Sequence, residues 1–480
     1  MRCEKDSIGE MFLPDDAYYG IQTERARQNF QVSGETIEQY PELIWCIAAI
    51  KKATAISNQQ IGVLEPSIAT AIIQAASEVM EGKMQGQFPL DPYQGGGGTS
   101  INMNINEVIA NRANELLGGR IGDGLVDSNT HVNMGQSTND VIPSAVNMTC
   151  FLYIEKLLKA LSTIKKSLET KFQEFSDDIA LARTCLQDAL PVTRGQQFSG
   201  YLSFIERQIN EIEKLKSTCL SIPLGATAVG TGLGAFPGYM EAIYHHLPGE
   251  SGIPVVKKEN FFDGLQNADG YLKISSTLKG LATGLSKMAK DFRLLSSGPR
   301  AGLRELALPP VQAGSSIMPG KVNPVIPEMM IQVSYQVYGN DQTITMAADN
   351  GELDINVWTP IIFKNLFVSF HLLTNAITIF TEKCLDGTKL IQENATEYAE
   401  TSLSNATMLA ALLGYKRATQ IAEQAYLENT TILETVLKNN LLNELDAKQL
   451  LDPKIMTDYE KSSSLLLSFL QQNQFVGEHK

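Results

Sequence analysis

A chain of 480 residues with 43% hydrophobic and 19% charged side chains has the composition of an ordinary soluble protein, long enough to bury a large core in several domains. Its formal net charge of −14 excludes nucleic acid and anionic membrane as expected partners, because either needs a basic face, and any anionic substrate must meet locally concentrated donors. The six cysteines (Cys3, Cys46, Cys150, Cys185, Cys219, Cys384) show no CxxC spacing and the five histidines no HExxH pair, so neither a disulfide framework nor a zinc site is expected and a reducing cytoplasm is the default location.

In chain order, the start MRCEKDSIGEMF lacks the apolar core of a signal peptide. Residues 94–104 (QGGGGTSINMN) and 131–140 (HVNMGQSTND) are glycine-rich and polar without helical period. From Phe151 the pattern turns helical: Ile154, Leu157, Leu161, Ile164 and Leu168 recur at three and four and form one stripe that needs a partner helix. Residues 183–191 (RTCLQDALP) break the period, and Leu202, Ile205, Ile209 and Ile212 restore it. Two more polar loops follow, LGATAVGTGLG at 224–234 and GSSIMPGKVNP at 314–324. Residues 328–337 and the apolar run 366–380 read as two further helices, the latter short of a membrane span and interrupted by His371 and Asn375. Near Asn394 the character changes to a small helical C-terminal unit. Long helices with narrow seams predict a mainly α, bundle-type fold.

The polar loops carry Thr, Ser, Asn and Gly with few charges, which suits a small polar ligand. In GSSIMPGKVNP, glycines admit backbone amides to a ligand, a serine can give or take a proton, and Lys321 is a point charge, a combination that suits a carboxylate substrate. A serine is a poor base unless N–H donors or positive charge stabilise its alkoxide. No P-loop, GxSxG elbow or dinucleotide GxGxxG stands in the right context, so no cofactor is expected. Plain structural uses stand beside these: Ser137, Thr138 and Asn139 as a helix N-cap cluster, Thr99 as a cap, Lys321 as a surface lysine, Glu328 as a first-turn helix residue.

With these segments in hand, GSSIMPGKVNPVIPE resembles the signature loop of the aspartase/fumarase superfamily. QGGGGTSINMNINEVIANRA, HVNMGQSTNDVIPSA, RTCLQDALPVTRGQQF, LGATAVGTGLG and SSGPRAGLRELALP resemble its other segments in the same order. The similarity runs from about residue 4 to about residue 352 and more loosely beyond; IQTERARQNF, HVNM before QSTND, GPRAGL and the GND of residues 339–341 are closer to the aspartate ammonia-lyase branch than to fumarases. The resemblance implies an all-α homotetramer with active sites shared between subunits, and three domains per chain: 1–140 N-terminal, 141–393 central bundle, 394–480 C-terminal. It implies reversible anti-elimination of ammonia from L-aspartate to fumarate, with Ser315 as the base that takes the Cβ proton. Thr99, Ser137 and Thr138 would donate to the developing aci-carboxylate, with Thr184 nearby. Lys321 and Asn323 would hold the α-carboxylate, Asn139 would contact the amino group or its neighbour, and Glu328 would support the loop. No metal or cofactor is implied.

Three positions depart from the family pattern. Cys185 stands where fumarases and many ammonia-lyases have histidine and some aspartases glutamine; Gly135 stands where serine is usual; Ala410 and Ala411 replace an Asn-Pro pair before Gly414. Cys185 weakens a fumarase reading more than an aspartase one, as a small, weak donor beside the β-carboxylate. A related lyase for another succinate-like acid, fumarate hydratase included, is the alternative, and a non-catalytic tetramer a more distant one.

Overall fold

The computed structural model describes residues 1–471; residues 472–480, the end of the expected C-terminal domain, lie outside the described part. The protein is mainly helical. The elements that position the site are α1 (Pro41–Gln60), α2 (Pro66–Met80), α3 (Thr99–Leu116), α4 (Thr138–Glu174), a hairpin of β1 (Ile179–Thr184) and β2 (Gln187–Thr193), α5 (Arg194–Leu220), α6 (Tyr239–Ser251), α7 (Asp269–Leu295), α8 (Val325–Asp349) and α9 (Thr359–Phe380).

The stripe read from α4 is real: Ile154, Leu157, Leu161, Ile164 and Leu168 are all fully buried. On α5, Ile205 and Ile212 are buried while Leu202 and Ile209 stay partly exposed, a narrower seam than the sequence suggested. Helix α4 starts at Thr138, well before Phe151, and carries Pro143 inside it. Helix α9 likewise extends the apolar run 366–380 back to Thr359 and continues in a π turn to Leu385. By length and composition, Thr138–Glu174 and Thr359–Leu385 could each cross a bilayer, so shortness does not argue against a span; burial does, since 61% and 50% of their most apolar windows lie inside the protein.

Contacts between Cα atoms divide the chain into two compact units, one of residues 1–159, 209–283 and 333–375, the other of 160–208, 284–332 and 376–480. Five long helices, α4, α5, α7, α8 and α9, give residues to both. In the first unit α1 packs on α2 and α6, and α2 on α3. Its aromatic core joins Tyr40, Tyr153, Phe363, Phe367 and Phe370 in edge and tilted pairs with centroids 5.2 to 6.1 Å apart.

The second unit has an aromatic chain of its own, Phe175, Phe198, Phe292 and Phe380. A separate apolar cluster runs from Ala406 through Leu409, Ile421, Val436 and Leu450 to Phe469 in the C-terminal helices. There Ala410 sits within the helix Ala406–Leu413, which ends at Gly414 with φ +82°.

Residues 183–191, expected as a polar loop, are mostly strand. Thr184 pairs with Gln187, so Cys185 and Leu186 are the two-residue tip, with φ of +53° and +62°. Two positive φ values make a type I′ turn, whose twist matches that of the strands. The hairpin is moored by a buried charge cluster: Glu305 accepts from Arg183 of β1 and from Arg194 at the start of α5, and Arg194 and Glu305 are inaccessible to water. Replacing Glu305→Gln leaves a buried guanidinium without its counter-charge and lowers stability by about 3–5 kcal/mol in denaturant titrations. A loss under about 1 kcal/mol would mean that the cluster does not hold the hairpin.

Candidate active site

The expected residues fall into two sets, one in each unit. In the first, Ser137 stands at the N-cap of α4. Its Oγ accepts from Asn139 N at 3.2 Å, and the Asp140 carboxylate reaches back to Ser137 N at 2.9 Å, the return half of an S-x-x-D capping box. The N-cap reading is therefore correct as geometry. It uses a lone pair of the hydroxyl and leaves its proton available to a ligand oxygen. Thr138 Oγ1 accepts from Asn102 of α3 at 3.3 Å, and Asn139 Nδ2 donates to Ala228 O at 2.7 Å.

Thr99 opens α3, exposed, with its hydroxyl on Gly96 O at 2.7 Å. Gly96, Gly97 and Gly98 all have positive φ, and a Cβ on Gly98 would come within 3.1 Å of Ile142 on α4; only glycine lets this loop lie against that helix. Gly135, the departure before Gln136, has φ +74°, a conformation that glycine takes without strain.

Behind this turn lies a buried polar cluster. Lys51 Nζ donates to Asn133 Oδ1 at 2.9 Å and to Gln136 Oε1 at 3.0 Å. Asn102 and Asn106 of α3 donate to the same Asn133 oxygen. Asp140 Oδ2 accepts from Gly225 N at 3.0 Å and Thr227 N at 2.9 Å. Burial raises the Asp140 carboxyl to about 6 against its three N–H donors and the Lys51 charge, and burial lowers the Lys51 ammonium to about 7, opposed by Asp140. Sequence reading passed over both. The S-x-x-D spacing was a usable signal for Asp140, and a lysine amid IAAIKKATAI was one for Lys51.

In the second unit, the loop 314–324 is irregular, as expected, and closes on itself. Gly314 N donates to Lys321 O at 2.7 Å, Asn323 Nδ2 to Gly314 O at 2.8 Å and Lys321 Nζ to Asn323 Oδ1 at 2.7 Å. Ser315 Oγ accepts from Ile317 N at 3.2 Å and Met318 N at 2.9 Å, the pair of N–H donors that a serine alkoxide requires. Lys321, Asn323 and Glu328 line one cavity of about 730 Å³ together with Lys290, Arg293 and Arg304, so the second unit offers anions a concentration of positive charge that the chain as a whole lacks. Arg293 lies 3.5 Å from Glu328, which sits in the first turn of α8. Ser315 shares a smaller hollow of about 330 Å³ with Lys321. Thr184 and Cys185 line neither; both are exposed at the hairpin tip.

The chain is similar to known proteins along most of its length. A family pattern described as Lyase matches residues 9–339, and one described as Fumarase C C-terminus matches residues 406–458. An aspartate ammonia-lyase of Bacillus sp is 45% identical over 95% of this chain and 97% of its own length, and that of Bacillus subtilis 43% over 95% and 96%. A fumarate hydratase class II of Neisseria meningitidis is 42% identical over 95% and 98%. Among solved structures, a fumarate lyase:delta crystallin from Brucella melitensis superposes with a TM-score of 0.93 at 42% identity, covering 95% of this chain and 99% of that one. The chain belongs to the aspartase/fumarase lyase family. It is an enzyme of the carbon–nitrogen lyase type.

Gly314 tests the loop. A Cβ there would meet Asn323 N and Lys321 O, each at 2.7 Å. Gly314→Ala is expected to lower lyase turnover at least about 10-fold by opening the closure around Ser315, with the thermal midpoint unchanged because the loop is exposed. Turnover equal to that of the unmodified enzyme would show that the closure is dispensable.

Proposed function

We propose that this enzyme eliminates ammonia reversibly from L-aspartate to give fumarate. Ser315, as alkoxide, takes the Cβ proton; the electron pair of that C–H bond passes into the β-carboxylate as a doubly charged aci-acid, then returns to form the double bond as the Cα–N bond breaks and ammonia leaves. Ser137, Thr138 and Thr99 donate to the aci-carboxylate, with Thr184 and Cys185 beside it; Lys321 and Asn323 hold the α-carboxylate, Asn139 faces the amino group, and Glu328 supports the loop. The reading includes a cytoplasmic homotetramer with active sites shared between subunits, three domains at 1–140, 141–393 and 394–480, and no cofactor or metal.

The observation that carries this reading is the Ser315 oxygen beneath two backbone N–H groups, in a loop closed by Lys321 and Asn323. These donors lower the cost of forming the serine alkoxide, while the charge that develops in the step lies on the substrate carboxylate, where one donor is typically worth about 10²–10³ in rate. The two ammonia-lyase relatives support aspartate as substrate. Cys185, small and at an exposed tip, supports a second reading, a related succinate-like acid with a bulkier group near the β-carboxylate.

Following fumarate absorbance after adding L-aspartate, L-malate or argininosuccinate separates these readings. Ser315→Ala abolishes turnover and leaves the assembly intact, whereas Lys321→Met chiefly raises KM. Near-normal turnover in Ser315→Ala removes the proposed base. Cys185→Ser keeps most activity, and Cys185→Gln keeps or raises it on aspartate; loss of aspartate turnover in Cys185→Gln, with the parent active on another acid, overturns the substrate assignment.

A further inference from the structure

Asp140 and Lys51 are fully buried ionisable groups to which the elimination chemistry gives no part. The carboxylate divides its oxygens between two loops. Oδ1 takes Ser137 N, and Oδ2 takes Gly225 N and Thr227 N. The second loop is bonded back to the first where Asn139 Nδ2 donates to Ala228 O. On the other side of the turn, Lys51 grips Asn133 Oδ1 and Gln136 Oε1, while Asn133 Nδ2 returns a bond to Gln136 O at 3.1 Å. Residues 133–139 are thus held from the front by an anion and from behind by a cation, each offsetting part of the desolvation of the other.

A neutral isostere cannot replace the carboxylate. Asparagine offers one acceptor oxygen, whereas the N–H groups approach both Asp140 oxygens; its amide nitrogen would face either Ser137 N or the Gly225 and Thr227 amides, donor against donor.

We propose that Asp140 is a positioning residue for the elimination: its two oxygens fix the Ser137–Thr138–Asn139 turn and the 225–228 loop as one unit, with Lys51 bracing the same turn through Asn133 and Gln136. The inference rests on the reading that Ser137 and Thr138 receive the β-carboxylate. Donors to an aci-carboxylate act only when aimed at charge that develops in the transition state, so a turn displaced by a fraction of an ångström loses rate more than ground-state binding.

The test is Asp140→Asn in the full-length enzyme, assayed on whichever acid the unmodified enzyme turns over and examined by amide hydrogen exchange. The expected result is a kcat lower by about 10- to 100-fold, with KM changed less than about threefold. Exchange is faster in residues 133–140 and 224–228 together. A folded variant with kcat within about twofold of the parent, or with unchanged exchange in both segments, overturns the proposal. A purely structural aspartate would lower the thermal midpoint without this split between kcat and KM.

Should Asp140→Asn not fold, exchange in the unmodified enzyme decides. The charged and titratable groups around Asp140 are Lys51 on α1 and Tyr239 and Tyr244 on α6. Between about pH 6.5 and 5, Asp140 takes up most of its proton while Lys51 is already largely charged, so the change there is chiefly that of Asp140. Because burial raises the Asp140 carboxyl, the closed site holds this proton more firmly than an opened one, so lowering pH across this range, with intrinsic rates corrected, must slow exchange at Ser137, Gly225 and Thr227 in concert; independent changes at the three overturn the clamp. Were the unmodified enzyme inactive on every succinate-like acid, the functional reading would fail, whereas the exchange result would still decide whether Asp140 joins the two loops.

Discussion

Backbone N–H groups converging on a side-chain oxygen hold the irregular segments that carry this enzyme's polar motifs. Glu107 on α3 gathers Gly20, Gln22 and Thr23 N, together with the Thr23 hydroxyl, and so anchors the start of the IQTERARQNF segment. Asp91 gathers Val32, Ser33 and Tyr93 N. Asp140 and Ser315 repeat the device next to the proposed chemistry. Loops without a ladder must find partners for their N–H groups, and a buried oxygen that accepts several of them stiffens a stretch that glycine would otherwise leave loose.

The helices set where those oxygens can be. The fully buried stripe of α4 fixes its rotation, and with it the direction in which its first turn points. Asp140 and Ile142 are then determined together, one against the 225–228 loop, the other against Gly98. Packing and site are the same arrangement seen from two ends of one helix turn.

How much of this was readable depended on whether the signal was local. The stripe at three and four on α4 and the apolar run of α9 were plain, and so was the lack of period in residues 314–324. The start of α4 was not, because DVIP is almost continuously apolar and Pro143 imitates a helix boundary while in fact lying inside the helix. The hairpin was hidden because its tip holds Cys and Leu where a type I′ turn usually shows Asn-Gly. Ser315, Lys321 and Asn323 stood in one motif and met in one loop. Lys51 and Asp140 are 89 positions apart in a chain whose pattern says nothing of that pairing, and only the folded structure sets them around the same turn. Likewise, a net charge of −14 gave no hint that Lys290, Arg293, Arg304 and Lys321 share a cavity.

The hairpin tip bears on how such an enzyme can change over generations. Its position is set by the pairing of β1 with β2 and by the Arg183–Glu305–Arg194 cluster, none of which involves the side chain at 185. The left-handed conformation there costs a non-glycine residue about 1 kcal/mol, and cysteine and leucine both already bear that cost. A new residue at 185 therefore inherits a fixed address and an open surrounding, with little further demand on folding. If residue 185 lies beside the substrate as proposed, selection can exchange one side chain for another at that point and sample different acids while the scaffold and the serine loop stay as they are.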